Sequence, residues 1–127
     1  MTNAGPPALH ELETDVMEQV WILGEATVHA VRDELNARSG KDRAYTTVMT
    51  VMSRLCSKGL LKKERRGRSD HYAAAFSREE YLDARAELEV DTLVAEYGDI
   101  ALAHFVAHVA KLDPSRRQKL RRLARRD

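Results

Sequence analysis

Apolar residues recur at helical spacing along most of this chain, and the places where they stop divide it into elements. Leu9, Leu12, Val16 and Val20 share one helical face, with Met17 and Trp21 beside it, up to a break at Gly24. Thr27 suits the N-cap of a second helix in which Val28, Val31 and Leu35 point inward. RSGKDR at 38–43 reads as a polar loop. A third helix starts near Tyr45, and its Val48, Val51, Met52 and Leu55 fall at i, i+3, i+4 and i+7. Leu60 and Leu61 open a short strand running through Arg66. Gly67-Arg68-Ser69-Asp70 has turn chemistry, and 71–76 can form the returning strand.

The last third follows a different pattern. Ser77-Arg78-Glu79-Glu80 is a capping-box sequence opening a helix whose Val90, Leu93, Val94 and Tyr97 form an apolar face before a C-cap at Gly98. Asp99 is the expected cap of a helix, IALAHFVAHVA, that is apolar nearly all round. Asp113-Pro114 is a cap and first-turn proline for a third, basic helix carrying Leu120 and Leu123. Three short helices cannot surround so apolar a segment, so a second copy of the chain is its simplest cover. The expected interface consists of Tyr81, Leu93, Tyr97, Ile100, Leu102, Phe105, Val106, Val109, Leu120 and Leu123.

The predicted fold is therefore mainly α with a small β-hairpin. A flexible N-terminus (1–8) precedes a winged helix-turn-helix domain (9–76), which a three-helix dimerisation arm (77–127) follows.

Charge sharpens this picture. The formal net charge is only +1, but it is segregated. Residues 77–99 hold eight acids against two bases, and residues 111–127 hold eight bases against two acids. From 45 to 61 no carboxylate occurs at all. Opposite the apolar face of the third helix lie Thr46, Thr50, Ser53 and Ser57, with Thr47 and Arg54 on a flank. Short hydroxyls and one guanidinium let a helix approach a polyanion closely and bond phosphates or base edges. A hairpin with Arg65, Arg66 and Arg68 at its tip follows directly, which is the layout of a helix in the major groove with a wing on the backbone. The alternative is a winged helix that binds another protein. It would show no salt-sensitive binding of duplex DNA and no dependence on Arg54.

Other chemistry is thin. There is no Gly-rich phosphate loop, no paired carboxylate in a cleft-like setting and no Ser/His/Asp constellation, so an enzyme is not expected. No cofactor or metal is expected either. His104 and His108 have the spacing of two ligands, but no third ligand is evident. Cys56, the single cysteine, excludes an internal disulfide, fits a reducing compartment and reads as a small core residue. The N-terminal residues lack an apolar signal core and no apolar run can span a bilayer. A cytoplasmic protein without membrane insertion is expected.

A winged helix followed by a three-helix dimer arm resembles the penicillinase repressor family of bacterial transcriptional repressors, over about residues 9–123. AYTTVMTVMSRLCSKGLL (44–61) is similar to that family's recognition helix and the start of its wing, LETDVMEQVW (12–21) to its first helix, and ALAHFV (101–106) to its dimer-arm helix. The resemblance implies a homodimer bound to a palindromic double-stranded DNA operator. It implies Thr46, Thr47, Thr50 and Arg54 as helix contacts, Met49 as a groove contact where some members carry a base, and Lys63, Arg65, Arg66 and Arg68 as backbone contacts. It also implies derepression through a membrane zinc metalloprotease receptor that senses β-lactam, with cleavage in the arm at a position matching His104-Phe105. The family's Asn is replaced there by His104. The copper-sensing branch, which uses C-terminal cysteines, has no counterpart here.

Overall fold

The computed structural model describes residues 5–125. The elements run α1 (Glu11–Leu23), β1 (Glu25–Ala26), α2 (Val28–Ser39), α3 (Tyr45–Ser57), β2 (Leu61–Arg66), β3 (Ser69–Ala74), α4 (Arg78–Tyr97), α5 (Asp99–Ala110) and α6 (Pro114–Ala124). This is the expected mainly α fold with a winged helix-turn-helix. One element is additional: β1 pairs antiparallel with β3, Glu25 opposite Ala73 and Ala26 opposite Tyr72, giving a sheet of order β1-β3-β2. Two residues are too short to show any alternation, so only the partner strand defines β1.

The hairpin is tighter than its sequence suggests. Arg66 faces Ser69, which leaves a two-residue loop of Gly67 and Arg68, and the returning strand ends at Ala74. Gly67 has φ 62° while Arg68 keeps a negative φ. That combination is the type II′ turn, whose twist matches the strands and whose first central residue favours glycine.

Helix ends follow the anticipated chemistry. The Thr27 side chain accepts from the Ala30 N–H at 3.2 Å. Ser77 and Glu80 form a reciprocal box, with the Ser77 N–H on the Glu80 carboxylate at 2.8 Å and the Glu80 N–H on the Ser77 hydroxyl at 3.0 Å. Asp113 accepts from the Arg116 N–H at 2.9 Å ahead of Pro114. Asp99 differs from expectation: it is the first residue of α5, and Gly98 occupies the N-cap.

The chain divides into two compact units, Met1–Ala86 and Glu87–Asp127, so the division lies within α4 and later than the expected 76/77 boundary. In the first unit Val16, Met17 and Val20 from α1, Val31 and Leu35 from α2, and Val48, Met52 and Leu55 from α3 form the core. Leu60, Leu61 and Tyr72 close it from the wing side.

Tyr81 corrects the expected dimer interface. It is only 8 % exposed and joins this core, with its ring centroid 5.7 Å from that of Trp21. Its hydroxyl donates to the Pro7 carbonyl at 2.9 Å, and Arg85 donates to the Pro6 carbonyl at 3.0 Å. Burial raises the Tyr81 phenol above its usual pKa. The physical reason is that α4 begins inside the winged-helix unit, so its first inward-facing aromatic fills that unit's core. Of the expected flexible N-terminus, residues 1–4 lie outside the described residues, while Pro6 and Pro7 are tied to α4 by these two bonds.

In the second unit, no residue of α5 is buried. Ile100 and Val106 are each 67 % exposed, and Leu93, Tyr97, Leu102, Phe105, Val109 and Leu123 are exposed as well, while Leu120 is half-buried. Among the described residues, no helix is long and apolar enough to cross a membrane.

Candidate nucleic-acid interface

Helix α3 is held from below by the apolar stripe that its sequence displays. Val48, Val51, Met52 and Leu55 are buried, so Thr46, Thr47, Met49, Thr50, Ser53 and Arg54 are all turned outward. The Thr50 hydroxyl donates to the Thr46 carbonyl one turn back at 2.9 Å, which leaves its oxygen lone pairs outward as acceptors.

Two hollows flank this ridge. On the α1 side, His10, Leu12, Glu13, Thr47, Thr50, Val51 and Arg54 line a depression of about 410 Å³. On the wing side, Thr27, His29, Tyr45, Met49, Arg65, Arg68 and Asp70 line one of about 250 Å³. The structure thus gathers four of the five predicted helix residues into two groups: Thr47, Thr50 and Arg54 face one hollow, and Met49 faces the other with two wing arginines, while the exposed Thr46 lines neither.

Strand parity sorts the wing. Cross-strand partners share a face, so Leu61, Lys63 and Arg65 lie on the core side with Tyr72 and Asp70, whereas Glu64 and Arg66 lie on the outer side with His71 and Ser69. Arg65 contacts Asp70 at 3.4 Å and donates to the Gly67 carbonyl at 3.2 Å. Lys63 and Arg68 are exposed. Arg66 is different. Its guanidinium reaches Glu25 through two bonds of 2.6 and 2.7 Å and Glu64 through bonds of 2.6 and 3.0 Å. The hydrogen bond from Arg66 holds the Glu25 carboxyl below its usual pKa, and the bonds to Glu25 and Glu64 raise the guanidinium's pKa in return. Arg66 therefore ties β1 to β2 across β3. The sequence carried a usable signal, because alternation from buried Leu61 already puts Arg66 on the outer face.

Two further groupings were not anticipated. The Lys58 ammonium meets both oxygens of Glu13 at 2.8 and 2.7 Å, fastening the C-terminal end of α3 to the first turn of α1. His29 packs against Tyr45 with ring centroids 4.4 Å apart and the ring planes tilted by 37°. Neither histidine nor acid stands out by spacing; each pairing joins residues from different helices. Cys56 is half-buried, and burial raises its thiol pKa against a smaller opposing effect from Lys63, so the reactive thiolate is disfavoured. In α5 one ring nitrogen of His108 faces the His104 carbonyl at 3.1 Å. Among the described residues, no group of three or more metal-ligating side chains is brought together.

The penicillinase repressor family model matches residues 9–126. The chain belongs to the penicillinase repressor family. It is 41 % identical over 106 residues to the transcriptional regulator BlaI of Mycobacterium tuberculosis, a match covering 80 % of this chain and 73 % of that one. Among solved structures it resembles the DNA-binding domain of the repressor BlaI in solution, at 26 % identity and TM-score 0.52, covering 60 % of this chain and 90 % of that one. It also resembles monomeric Bacillus licheniformis BlaI in complex with the blaP half-operator, at 26 % identity and TM-score 0.50, with the same coverage. This family member is a transcriptional repressor with a winged-helix DNA-binding fold, not an enzyme.

Proposed function

We propose that the protein represses transcription as a homodimer on a palindromic operator, each copy laying α3 in the major groove and its wing along the backbone. The observation that carries this reading is the outward face of α3, which has no carboxylate over its whole length and is flanked by hollows lined with Arg54, Arg65 and Arg68, where the acids Glu13 and Asp70 are each paired with a base. A groove-reading helix needs such a face, since each acid near a phosphate would cost binding. The complex of monomeric Bacillus licheniformis BlaI with the blaP half-operator supports operator DNA as the partner. Thr46, Thr47, Met49 and Thr50 would read or approach the groove, with Arg54, Lys63, Arg65 and Arg68 on phosphates.

Dimerisation is supported by α5. A helix that exposes Ile100, Leu102, Phe105, Val106 and Val109 to water leaves an apolar patch that soluble monomers seldom tolerate. Covering it with the same face of a second copy gives a two-fold arrangement, and a two-fold dimer matches a palindrome. Derepression would follow cleavage of the arm near His104-Phe105 by a membrane-bound zinc metalloprotease. That bond lies mid-helix, so α5 must unwind before a protease takes it as an extended strand. Cutting there separates the dimer from its DNA-binding halves and removes the avidity of paired half-sites.

The test is selection of bound duplexes from a random pool, with sedimentation of the same protein. The expected result is one inverted-repeat sequence bound by dimers, with affinity falling steeply as salt rises. Absence of any salt-sensitive duplex binding would overturn the repressor reading.

A further inference from the structure

The hollow on the wing side holds a residue that the functional reading so far leaves out. His29, near the start of α2, is exposed, and the ring of Tyr45 at the start of α3 limits its imidazole on one face. Across the space stand Arg65 and Arg68 of the wing, with Met49 on the α3 side. We propose that this hollow seats one backbone phosphate of operator DNA, and that His29 takes up a proton as the phosphate enters. This rests on the repressor reading and adds a contact and a regulating variable to it.

The geometry favours an anion. The space of about 250 Å³ equals roughly eight waters by liquid volume, enough for a phosphate with part of its hydration. The charged and titratable groups around it are few. Tyr45 comes from α3; Arg65, Arg68, Asp70 and Tyr72 come from the wing; Arg32 and Asp33 lie one turn along α2, with Arg32 bonded to the Arg43 carbonyl and facing Asp42. Asp70 is already paired with Arg65 at 3.4 Å, which leaves Arg68 facing the opening with the imidazole. A phosphate arriving between them adds negative charge next to His29, which favours the imidazolium and converts a neutral acceptor into a charged donor. Binding and protonation are then linked, so affinity increases as pH falls through the range where imidazole titrates.

The geometry also separates His29 from the other histidines of this unit. His10 lines the opposite hollow beside Arg54, and His71 lies on the outer face of the sheet opposite Glu64. His104 and His108 belong to α5 and would act through dimerisation alone.

The experiment measures binding of the full chain to a duplex carrying one half-site, at constant ionic strength between about pH 5.5 and 8. A half-site takes dimerisation, and hence His104 and His108, out of the measurement. The wild-type chain is expected to gain up to about tenfold in affinity per pH unit over part of this range. His29→Gln should flatten the profile. His71→Gln should keep the slope. In parallel, the His29 ring resonances should titrate at higher pH with duplex bound than without. A wild-type profile with no slope, or an unchanged slope in His29→Gln, overturns the proposal while leaving the repressor reading intact. Failure of the wild-type chain to bind any duplex would sink both.

Discussion

The Glu13 carboxylate and the Lys58 ammonium form an ion pair that reaches into the winged-helix core: the Glu13 side chain is 3 % exposed and that of Lys58 29 %. Glu13 also accepts the His10 N–H at 3.0 Å, so one buried carboxylate caps α1 and anchors the end of α3. Burial alone would raise its pKa, but the backbone bond from His10 and the ammonium of Lys58 outweigh that cost and hold it below the usual carboxylate value.

The pair should be asymmetric to mutation. Lys58→Met strands a carboxylate that cannot reach water, whereas Glu13→Gln leaves an ammonium that can turn to solvent. Lys58→Met should cost about 3 kcal/mol and Glu13→Gln closer to 1–2 kcal/mol, read by urea denaturation. Equal losses would contradict the burial difference.

Its pH dependence has a definite sign. The Glu13 pKa is lower in the folded state, so its stabilisation is fully present above the unfolded carboxylate value, near 4.5. It is lost as pH falls through the folded value. Acid titration of the melting temperature should therefore show a shallower fall in Glu13→Gln than in wild type. A parallel decline in both would remove Glu13 from the account.

On α3, Arg54→Ala and Thr47→Val should each weaken operator binding roughly tenfold, about 1.4 kcal/mol, without changing the sedimentation of the free protein. Both residues line the hollow beside α1 and neither is in the core. Unchanged binding in a filter or fluorescence assay would move the interface elsewhere.

The wing arginines should separate by strand face. Arg68→Ala should weaken binding to every sequence alike and lower the salt slope by about 1. Arg66→Ala should leave the slope near wild type, because Glu25 and Glu64 already hold that guanidinium; its effect should appear as faster amide exchange in β1. A reduced slope in Arg66→Ala would mean the bridge opens to DNA.

In the arm, Phe105→Asp should give monomers by sedimentation, since it puts a charge in the centre of the exposed apolar face. Tyr81→Ala should instead destabilise the winged-helix unit by about 3 kcal/mol and leave association of the folded chains unaltered. Dissociation in Tyr81→Ala without loss of stability would return Tyr81 to the interface.

What the sequence alone determined is whatever depends on neighbours within a turn or along a strand. The stripe of Val48, Val51, Met52 and Leu55 settled which side of α3 faces outward, and Thr27, Ser77 and Asp113 marked helix starts because capping is a contact three residues long. The apolar composition of α5 announced a face that its own unit leaves uncovered. Only the tertiary structure decided the long-range partners. β1 exists because β3 lies beside it, and Tyr81 faces inward because α4 starts within the first unit. Arg66 is engaged because Glu25 arrives across the sheet, and Glu13 is ionised in the core because Lys58 comes from 45 residues away. Such pairings depend on which elements meet in space, and spacing along the chain carries almost no record of that.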